Sequence, residues 1–480
     1  MRWFVLLLLF LATGAAAAPR EWVDGHRQQI LDEYLPLLAI PNVAANRADI
    51  RRNADHIVAM MARRDLAPRL LESEDGTAPP LIYGEWRVPG ATRTYILYAH
   101  YDGQPVTPED WTVTPPFEPR LVGEGREARI YARSASDDKA GVMAILAAVD
   151  ALRAENRRPA FNLKIVFEGE EEAGSPHLAA LLRRHRETLA SDGWVIVDGP
   201  AHQSGPPQLT LGVRGDVNME VTVHGPARPL HSGHYGNWAP NPALMLAELL
   251  ASMKDETGRV TISGFYDDVI PLTDAERAAI AAVPAPDASL RNELGLGWTE
   301  GDGATLTELI NRPSLNINGM RSADVGANGR NVIPTQATAA LDLRLVLGNT
   351  PDRQVQRVVD HIRAQGYEVL DRAPTIAERR RFPRIATVTR EPGYPAERTP
   401  LDHPLAQSLS RAMRANGPFV LLPSLGGSLP LYLIRQELGA PSVTVALWNH
   451  DNNQHAEDEN VRIDSLMNGI VTIAGIMTAE

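Results

Sequence analysis

The chain of 480 residues contains no cysteine, so disulfide bonds cannot contribute to its stability. Any metal ion must therefore be bound by histidine and carboxylate side chains, which suits a catalytic site better than a structural zinc site. Basic residues are also in deficit, with 47 Lys and Arg against 59 Asp and Glu. The resulting formal net charge of -12 argues against nucleic acid as a partner.

Long apolar runs are absent beyond the first residues, so we predict no membrane span. The start of the chain differs, because Arg2 precedes an unbroken apolar run from Trp3 to Ala12. Small residues at 16–18 then offer a cleavage site. We predict a signal peptide over residues 1–18, cleavage near Ala18, and a periplasmic or secreted protein. An uncleaved membrane anchor is the alternative.

The length of the chain exceeds what one hydrophobic core usually supports, so two or more domains are expected. Apolar runs alternate with helical patterns such as Lys139–Ala154 across residues 19–213. This order predicts an α/β catalytic domain with a mostly parallel sheet and helices on both faces. Residues 214–392 instead contain alternating strands such as Asp216–His224, which predict an inserted α+β domain. Residues 393–480 complete the catalytic domain.

Acidic and imidazole side chains follow several predicted strands or open a predicted helix. They are His100, Asp102, Asp137, Asp138, Glu171, Glu172, Asp198 and His455. Open α/β sheets bind their ligands at the carboxyl ends of strands. Each residue alone has an ordinary alternative, such as a surface His–Asp pair, a helix N-cap or an acidic turn. Together, two imidazoles and several carboxylates predict a site for a pair of divalent cations.

Three consecutive acids, Glu170 to Glu172, follow the strand predicted at Asn162–Phe167. One such acid can bind a metal ion while its neighbour stays free as a general base. Asp102 lies two residues after His100, so the two side chains share one side of an extended segment. A carboxylate in that position can orient a metal-binding imidazole.

The order and spacing of these motifs resemble the carnosinase-like branch of the dinuclear-zinc metallopeptidase family, which also contains aminoacylases and glutamate carboxypeptidases. The resemblance covers nearly the whole mature chain. The segments that carry it are His100–Pro105, Trp111, Pro116–Phe117, Tyr131–Lys139, Phe167–Ser175, Asp198, Leu230–Gly236, Gly426–Ser428 and His455.

The resemblance implies a role for each residue of the metal site. Asp137 would bridge two divalent ions, which zinc, manganese or cobalt would fit. His100 and Asp198 would complete the coordination of the first ion. Glu172 and His455 would complete that of the second. Glu171 would be the general base that deprotonates a water shared by the two ions, Asp102 would orient His100, and the peptide bond between Asp137 and Asp138 would be cis.

The inserted domain resembles the family's lid and dimerisation domain, which implies a homodimer. His231 would reach the active site of a partner subunit and polarise the scissile carbonyl, although a capped turn residue is the alternative. Arg344 would hold a substrate carboxylate, with an ion pair to Asp342 as its alternative. Ser428 would contact the substrate from its loop.

The predicted function is hydrolysis of the amide bond of a dipeptide or short peptide. Within the resemblance, Asp198 favours a dipeptidase or aminopeptidase over an N-acyl-amino-acid deacylase or carboxypeptidase. A periplasmic ligand-binding protein without catalysis is a more remote alternative. The chain departs from the family pattern at Ser134, where glycine is usual, and at Asp458, which is expected to add negative charge near the metal.

Overall fold

The computed structural model describes residues 14–479. The apolar run of the predicted signal peptide lies outside the described residues, and the predicted cleavage position falls within the first helix. The strands, in chain order, are β1 Arg69–Leu71, β2 Leu81–Trp86, β3 Thr94–His100, β4 Arg120–Val122, β5 Arg129–Tyr131, β6 Asn162–Glu168, β7 Gly193–Val197, β8 Gln208–Thr210, β9 Gly212–Val213, β10 Gly215–His224, β11 Leu230–His231, β12 Ser314–Arg321, β13 Val332–Ile333, β14 Gln336–Leu345, β15 Glu368–Leu370, β16 Ile385–Arg390, β17 Glu397–Arg398, β18 Val420–Leu422, β19 Ser442–Ala446 and β20 Asn460–Arg462.

The described residues also form fifteen α-helices. They are α1 Gly14–Gly25, α2 Arg27–Leu38, α3 Arg47–Ala62, α4 Lys139–Ala154, α5 Leu178–Arg184, α6 Ser232–Tyr235, α7 Pro242–Ala251, α8 Asp274–Ala281, α9 Asp287–Glu293, α10 Leu306–Ile310, α11 Pro351–Ala364, α12 Ile376–Arg381, α13 Pro404–Asn416, α14 Leu431–Leu438 and α15 Ile463–Met477. Within residues 14–479, no helix combines the length and the apolar character that crossing a bilayer requires.

The larger sheet has eight strands in the order β1-β2-β6-β3-β7-β19-β8-β18. Its centre is parallel, because β3 pairs in parallel with both β6 and β7, and β7 pairs in parallel with β19. The antiparallel pairs lie towards the two edges. This arrangement confirms the predicted α/β class with a mostly parallel sheet.

Helices cover both faces of this sheet, as predicted. Along β3, Tyr95 and Leu97 belong to a buried core that also contains apolar side chains of α4 and α15. Ile96 and Tyr98 point to the opposite face and belong to a second core with side chains of α5 and α14. Burial on both faces explains why β3 is a continuous apolar run rather than an alternating one.

The smaller sheet has five strands in the order β12-β14-β10-β16-β15, and its pairs are antiparallel except β15 with β16. Val217 and Val221 of β10 and Leu341 of β14 face a core formed with α7 and α11. The opposite face carries polar side chains, so the sequence alternates as predicted. All five strands lie inside the predicted domain limits of residues 214–392, which themselves stay a prediction.

The chain passes between the two sheets at two adjacent crossings. The chain enters the insertion after β9 and returns to the catalytic part at β17, and these two strands pair with each other. Nearby, Arg398 forms a buried ion pair with Glu276 of α8, with 3.0 Å between Arg398 Nε and Glu276 Oε1. The insertion is therefore tied to the catalytic part by hydrogen bonds and by charge.

Candidate metal centre and active site

The three central parallel strands end at the same edge of the larger sheet. His100 is the last residue of β3, and Asp198 directly follows β7. The acids Glu171 and Glu172 form a short 3-10 turn shortly after β6. Because β3 lies between β6 and β7, these side chains meet across neighbouring strand ends, as the sequence predicts.

One donor group consists of His100, Asp137 and Asp198, all of which are buried. The His100 Nε2 atom lies 2.9 Å from Asp137 Oδ1 and 3.9 Å from Asp198 Oδ2. Each residue offers one ligand atom, and these atoms lie within 4.8 Å of one another. That spacing allows all three to bind a single cation.

The second donor group consists of Asp137, Glu172 and His455. The His455 Nε2 atom lies 3.0 Å from Asp137 Oδ2 and 3.2 Å from Glu172 Oε2. Asp137 thus directs one carboxylate oxygen to each histidine. This is the geometry that a carboxylate bridging two cations requires.

The neighbouring acids Asp137 and Asp138 have different partners, and the peptide bond between them is cis, as the resemblance implies. Asp138 caps α4, because its carboxylate accepts a hydrogen bond from the main-chain N–H of Gly141 at 3.2 Å. It also accepts one from the main-chain N–H of His100 at 3.3 Å. The ordinary N-cap interpretation therefore holds for Asp138, while Asp137 faces the two histidines.

Asp102 connects the first histidine to the acidic turn. Its Oδ1 atom lies 3.4 Å from His100 Nδ1, consistent with the predicted orienting role. The same carboxylate accepts hydrogen bonds from the main-chain N–H groups of Glu171 at 3.1 Å and Glu172 at 3.0 Å. Sequence reasoning missed this second function, because main-chain donors leave no trace in the residue types.

The acids of the site carry more negative charge than the protein neutralises. Burial raises the pKa of Glu171 well above the ordinary glutamate value, and the charges of Asp198 and Glu172 act in the same direction. Burial and the charge of Asp137 raise the pKa of Asp198 to about 7. Hydrogen bonds to Asp137 and Glu172 raise the pKa of His455 to about 10. Burial is the main cause for the two acids, and the neighbouring acids add to each of the three shifts.

Two divalent cations fit this set of donors. Cations would neutralise the acids whose ionisation is otherwise opposed by burial and by their neighbours. Imidazole and carboxylate ligands are those that zinc and similar borderline ions accept in catalytic sites. The five residues that could hold them are His100, Asp137, Glu172, Asp198 and His455.

Two of the three predicted substrate contacts lie together. The Arg344 Nη1 atom of β14 lies 3.3 Å from Ser428 Oγ in the catalytic part. The Nε atom of the same guanidinium lies 3.1 Å from Asp342 Oδ1 and 3.6 Å from Asp216 Oδ1. The alternative ion pair to Asp342 is therefore present, while the Nη edge of the guanidinium faces Ser428 and the substrate contact stays a prediction.

His231 lies apart from both donor groups, on the insertion. It is the N-cap residue of α6, and its Nδ1 atom accepts a hydrogen bond from the main-chain N–H of Gly233 at 3.1 Å. The side chain is exposed. The alternative of a capping residue is thus present, and His231 belongs to neither of the donor groups found among the described residues.

Sequence reasoning did not identify two further contacts of the site. Gln104 donates a hydrogen bond from Nε2 to Glu172 Oε2 at 2.7 Å. Glu459 accepts a hydrogen bond from the main-chain N–H of Asp137 at 2.9 Å. Asp458, expected to add charge near the metal, instead accepts hydrogen bonds from the main-chain N–H groups of Thr112 and Val113, each at 3.0 Å.

Residues 96–479 match the family model described as Peptidase family M20/M25/M40. The Cys-Gly metallodipeptidase dug1 of Schizosaccharomyces pombe is 27% identical over 357 residues, which cover 71% of this chain and 74% of that protein. The Beta-Ala-His dipeptidase of Homo sapiens is 29% identical over 370 residues, which cover 71% of this chain and 72% of that protein.

Solved structures show the same fold. The M20 family metallo-carboxypeptidase Sso-CP2 from Sulfolobus solfataricus has a TM-score of 0.75 and 26% identity, covering 93% of this chain and 98% of that one. Human carnosine dipeptidase 1 has a TM-score of 0.73 and 23% identity, covering 96% of this chain and 98% of that one. The catalytic part and the inserted sheet therefore have counterparts in known structures.

Proposed function

The chain belongs to peptidase family M20/M25/M40, and we propose that it is an exported dipeptidase that uses two divalent cations and the general base Glu171. Its membership confirms the predicted enzyme class and disfavours a binding protein without catalysis. The observation that carries the two-cation proposal is the position of Asp137, whose two carboxylate oxygens lie 2.9 and 3.0 Å from two different histidines.

When bound, divalent cations would supply the Lewis acidity that polarises the scissile carbonyl and makes water nucleophilic at neutral pH. We assign His100, Asp137 and Asp198 to one cation and Asp137, Glu172 and His455 to the other. Zinc suits these donors best, and manganese and cobalt are compatible with them.

Glu171 is the acid left free by this assignment, and it neighbours a proposed ligand. Its main-chain N–H is held by Asp102, which fixes the turn that carries it. Burial raises its pKa, so the ionised form is a stronger base, which would accept a proton from the attacking water and release it to the leaving amine nitrogen. Both proton transfers then take place on one side chain.

Dipeptides are the proposed substrates. The chain is similar to a Cys-Gly metallodipeptidase and to Beta-Ala-His dipeptidases, which act on two-residue peptides as their names state. Arg344 and Ser428 would bind the free terminal carboxylate, since the Nη edge of the guanidinium faces the serine. A site that anchors this carboxylate close to the cations would accept short peptides.

A homodimer is the proposed assembly, formed through the insertion. Strand β12 is an edge strand of the smaller sheet, and most of its residues are exposed, including Met320. An exposed edge strand presents unpaired main-chain groups that a second copy can pair with. Trp238, which follows α6, is 80% exposed and would also be covered by a partner. This assembly would carry His231 to the neighbouring active site.

Mixing two inactive variants tests whether His231 acts across the dimer. Homodimers of His231→Ala and homodimers of Glu171→Gln should each be inactive. After dissociation and reassembly of an equal mixture, half of the dimers would contain one complete site. Hydrolysis should recover to about a quarter of the wild-type rate. No recovery, with mixed dimers shown by mass spectrometry, would place His231 in its own subunit's site, and active His231→Ala homodimers would place it outside catalysis.

Export is proposed from the leader at residues 1–18. The test is expression of the complete chain followed by N-terminal sequencing of protein from the cell envelope and medium. A new N-terminus near Pro19 supports export. Protein that stays inside the cell with its first residues attached contradicts it.

A hydrolysis screen tests the activity itself. Purified enzyme should cleave free dipeptides, lose this activity in chelator and regain it with zinc. Acetylated amino acids and amidated dipeptides should be poor substrates. Cleavage restricted to acetylated amino acids would exclude a dipeptidase.

A carboxypeptidase is the second candidate, because Sso-CP2 carries that name and shares 26% identity and the fold. The two activities differ at the amino end of the substrate. A dipeptidase should prefer free dipeptides to N-blocked dipeptides and longer peptides. Release of the last residue from long or N-blocked peptides at similar rates would favour the carboxypeptidase.

A further inference from the structure

A second buried carboxylate, that of Glu459, lies directly behind the proposed bridging residue. Its Oε1 atom accepts hydrogen bonds from the main-chain N–H groups of Ser136 and Asp137 and from the Ser136 hydroxyl, each at 2.9 Å. Its Oε2 atom accepts hydrogen bonds from Ser134 N–H at 2.9 Å and from Arg133 Nη1 at 2.8 Å. Five donors from residues 133, 134, 136 and 137 therefore converge on one side chain.

This carboxylate also belongs to the segment that carries the other histidine. Glu459 lies four residues after His455 and directly before β20. Strand β20 pairs with β5, and the main-chain N–H of Ala132 donates to the Glu459 carbonyl at 3.1 Å. Two segments more than 300 residues apart in sequence are thus joined next to Asp137 and His455, whose side chains are 3.0 Å apart.

The charge of Glu459 is balanced within the protein. Arg133 is 2% exposed and Glu459 is 0% exposed, so their ion pair is buried. Burial raises the pKa of Glu459 and the charge of Arg133 opposes that shift, whereas the carboxylate of Asp198 has no arginine partner in the described part of the chain and faces other acids and His100. A paired carboxylate beside the site can orient its neighbours without being drawn to a cation.

The loop held by Glu459 has an unusual main-chain conformation. Ser134 has a φ of 62°, in the left-handed region that residues other than glycine rarely adopt. Its hydroxyl accepts a hydrogen bond from Asn42 Nδ2 at 2.8 Å, and its N–H donates to Glu459. The hydrogen bonds to Glu459 thus stabilise a main-chain conformation that is unfavourable for serine. Asp137 lies three residues after Ser134 in the same loop.

We propose that Glu459 is a positioning residue that sets the separation of Asp137 from His455 and thereby the affinity of the second cation site. The inference rests on the proposed two-cation function. Glu459 acts through the main chain of Asp137 and does not contact the substrate or the cations.

Glu459→Gln is the informative substitution, because the amide has the same shape but replaces one acceptor oxygen with an N–H₂ group. The amide N–H₂ group would face N–H donors and cannot accept hydrogen bonds from them, so the hydrogen bonds to at least one of the two oxygen positions are lost. Asp451→Asn is the matched control. Asp451 lies in the same loop and pairs with Arg129 and Arg462, but it makes no hydrogen bond to the 133–137 loop among the described residues.

Zinc affinity is measured by competition with a chromogenic chelator on the purified full-length protein. Outer-shell substitutions typically weaken metal binding 10–100-fold, and we expect Glu459→Gln to weaken one site by about that factor. Saturating zinc should restore most of kcat with little change in KM. Asp451→Asn should keep wild-type affinity, and Glu459→Asp should keep part of it.

The metal-free free energy of unfolding separates positioning from general stability. If Glu459→Gln destabilises the metal-free protein as Asp451→Asn does but keeps wild-type zinc affinity, the inference is overturned. If Glu459→Gln does not fold, Ser136→Ala removes one donor and should weaken zinc binding in the same direction, while unchanged binding overturns the inference. A wild-type protein that holds fewer than two zinc ions overturns the proposed function itself.

Discussion

Two clusters of charged side chains in the catalytic part are built in opposite ways. In one, Arg64 lies between Glu33 and Asp150, with 2.5 Å to Glu33 Oε2 and 2.6 Å to Asp150 Oδ2. In the other, at the edge of the larger sheet, carboxylates face one another and two histidines. The first cluster carries its own cation. The second has surplus negative charge.

The pKa of Glu33 shifts in the opposite direction to those of three acids in the second cluster, although burial raises the pKa of Asp150 beside Arg64. Although burial opposes it, Arg64 lowers the pKa of Glu33. Burial and neighbouring acids instead raise the pKa values of Asp138, Glu171 and Asp198. A self-neutralised cluster contributes to folding alone, while a cluster with surplus charge favours cations from solution. The predictions below test whether this distinction holds.

Glu171→Gln should have the largest effect. Removal of a general base typically lowers the rate 10²–10⁴-fold, and we expect about a 10³-fold loss of kcat. The zinc content should stay at two per chain, because Glu171 belongs to neither donor group. Stopped-assay kinetics together with metal analysis of the same sample provide the measurement. Turnover near the wild-type rate with both ions bound would exclude the role.

Asp198→Asn should lower zinc affinity and yet stabilise the metal-free protein. Loss of a ligand should weaken binding by more than ~100-fold, beyond the usual effect of outer-shell partners. The pKa of Asp198 is raised to about 7 in the folded protein. Its contribution to metal-free stability is therefore present below pH 3.8 and is lost as pH rises through about 7.

The variant should escape this loss, since asparagine does not ionise. Denaturant unfolding in chelator at pH 5 and pH 8 is the measurement. The wild-type protein should be less stable at pH 8, and the difference should shrink in Asp198→Asn. Equal pH dependence in both proteins would mean that the cluster has no surplus charge at this position.

A local rule predicts that His100 and Asp198 meet, whereas the full set of proposed metal ligands is implied by the resemblance to the metallopeptidase family. His100 and Asp198 terminate apolar runs, and parallel strands place such residues at one edge. The alternation in β10 and β14 likewise predicted the second sheet. The role of Glu459 was beyond this reasoning, because it depends on main-chain donors of a loop more than 300 residues away. The sequence alone does not show that a glutamate such as Glu459 is buried.

Asp102 and Asp458 show the same limit. The spacing of His100 and Asp102 predicted their contact. The hydrogen bonds that Asp102 accepts from the main-chain N–H groups of Glu171 and Glu172 could not be predicted in this way, because those residues follow a different strand. The sequence predicts that Asp458 adds negative charge near the metal. In the structure, its carboxylate accepts hydrogen bonds from the main-chain N–H groups of Thr112 and Val113. Residue type predicted chemistry, and only the fold determined which groups each acid meets.

Arg344 is an intermediate case, because its Nε edge pairs with acids and its Nη edge faces Ser428. Arg344→Ala should raise KM for free dipeptides roughly tenfold through loss of a charge-assisted contact. The KM for amidated dipeptides should change little. Arg390→Ala is the control, because Arg390 lies in β16 of the same sheet and forms an ion pair with Asp352 of α11. Equal increases in KM for free and amidated dipeptides would mean that Arg344 has a structural role and does not bind the substrate carboxylate.

Glu33→Gln should have the smallest effect and none on catalysis. Arg64 would keep Asp150, and Glu33 is partly exposed, so we expect a loss of about 1–2 kcal/mol in the free energy of unfolding. The lowered pKa of Glu33 means that its contribution exists above pH 4.5 and declines as pH falls below it. Unfolding at pH 7 and pH 3.5, with and without chelator, is the measurement. A loss that depends on zinc would show that the two clusters are coupled, because a cluster that carries its own cation has no reason to respond to one bound elsewhere.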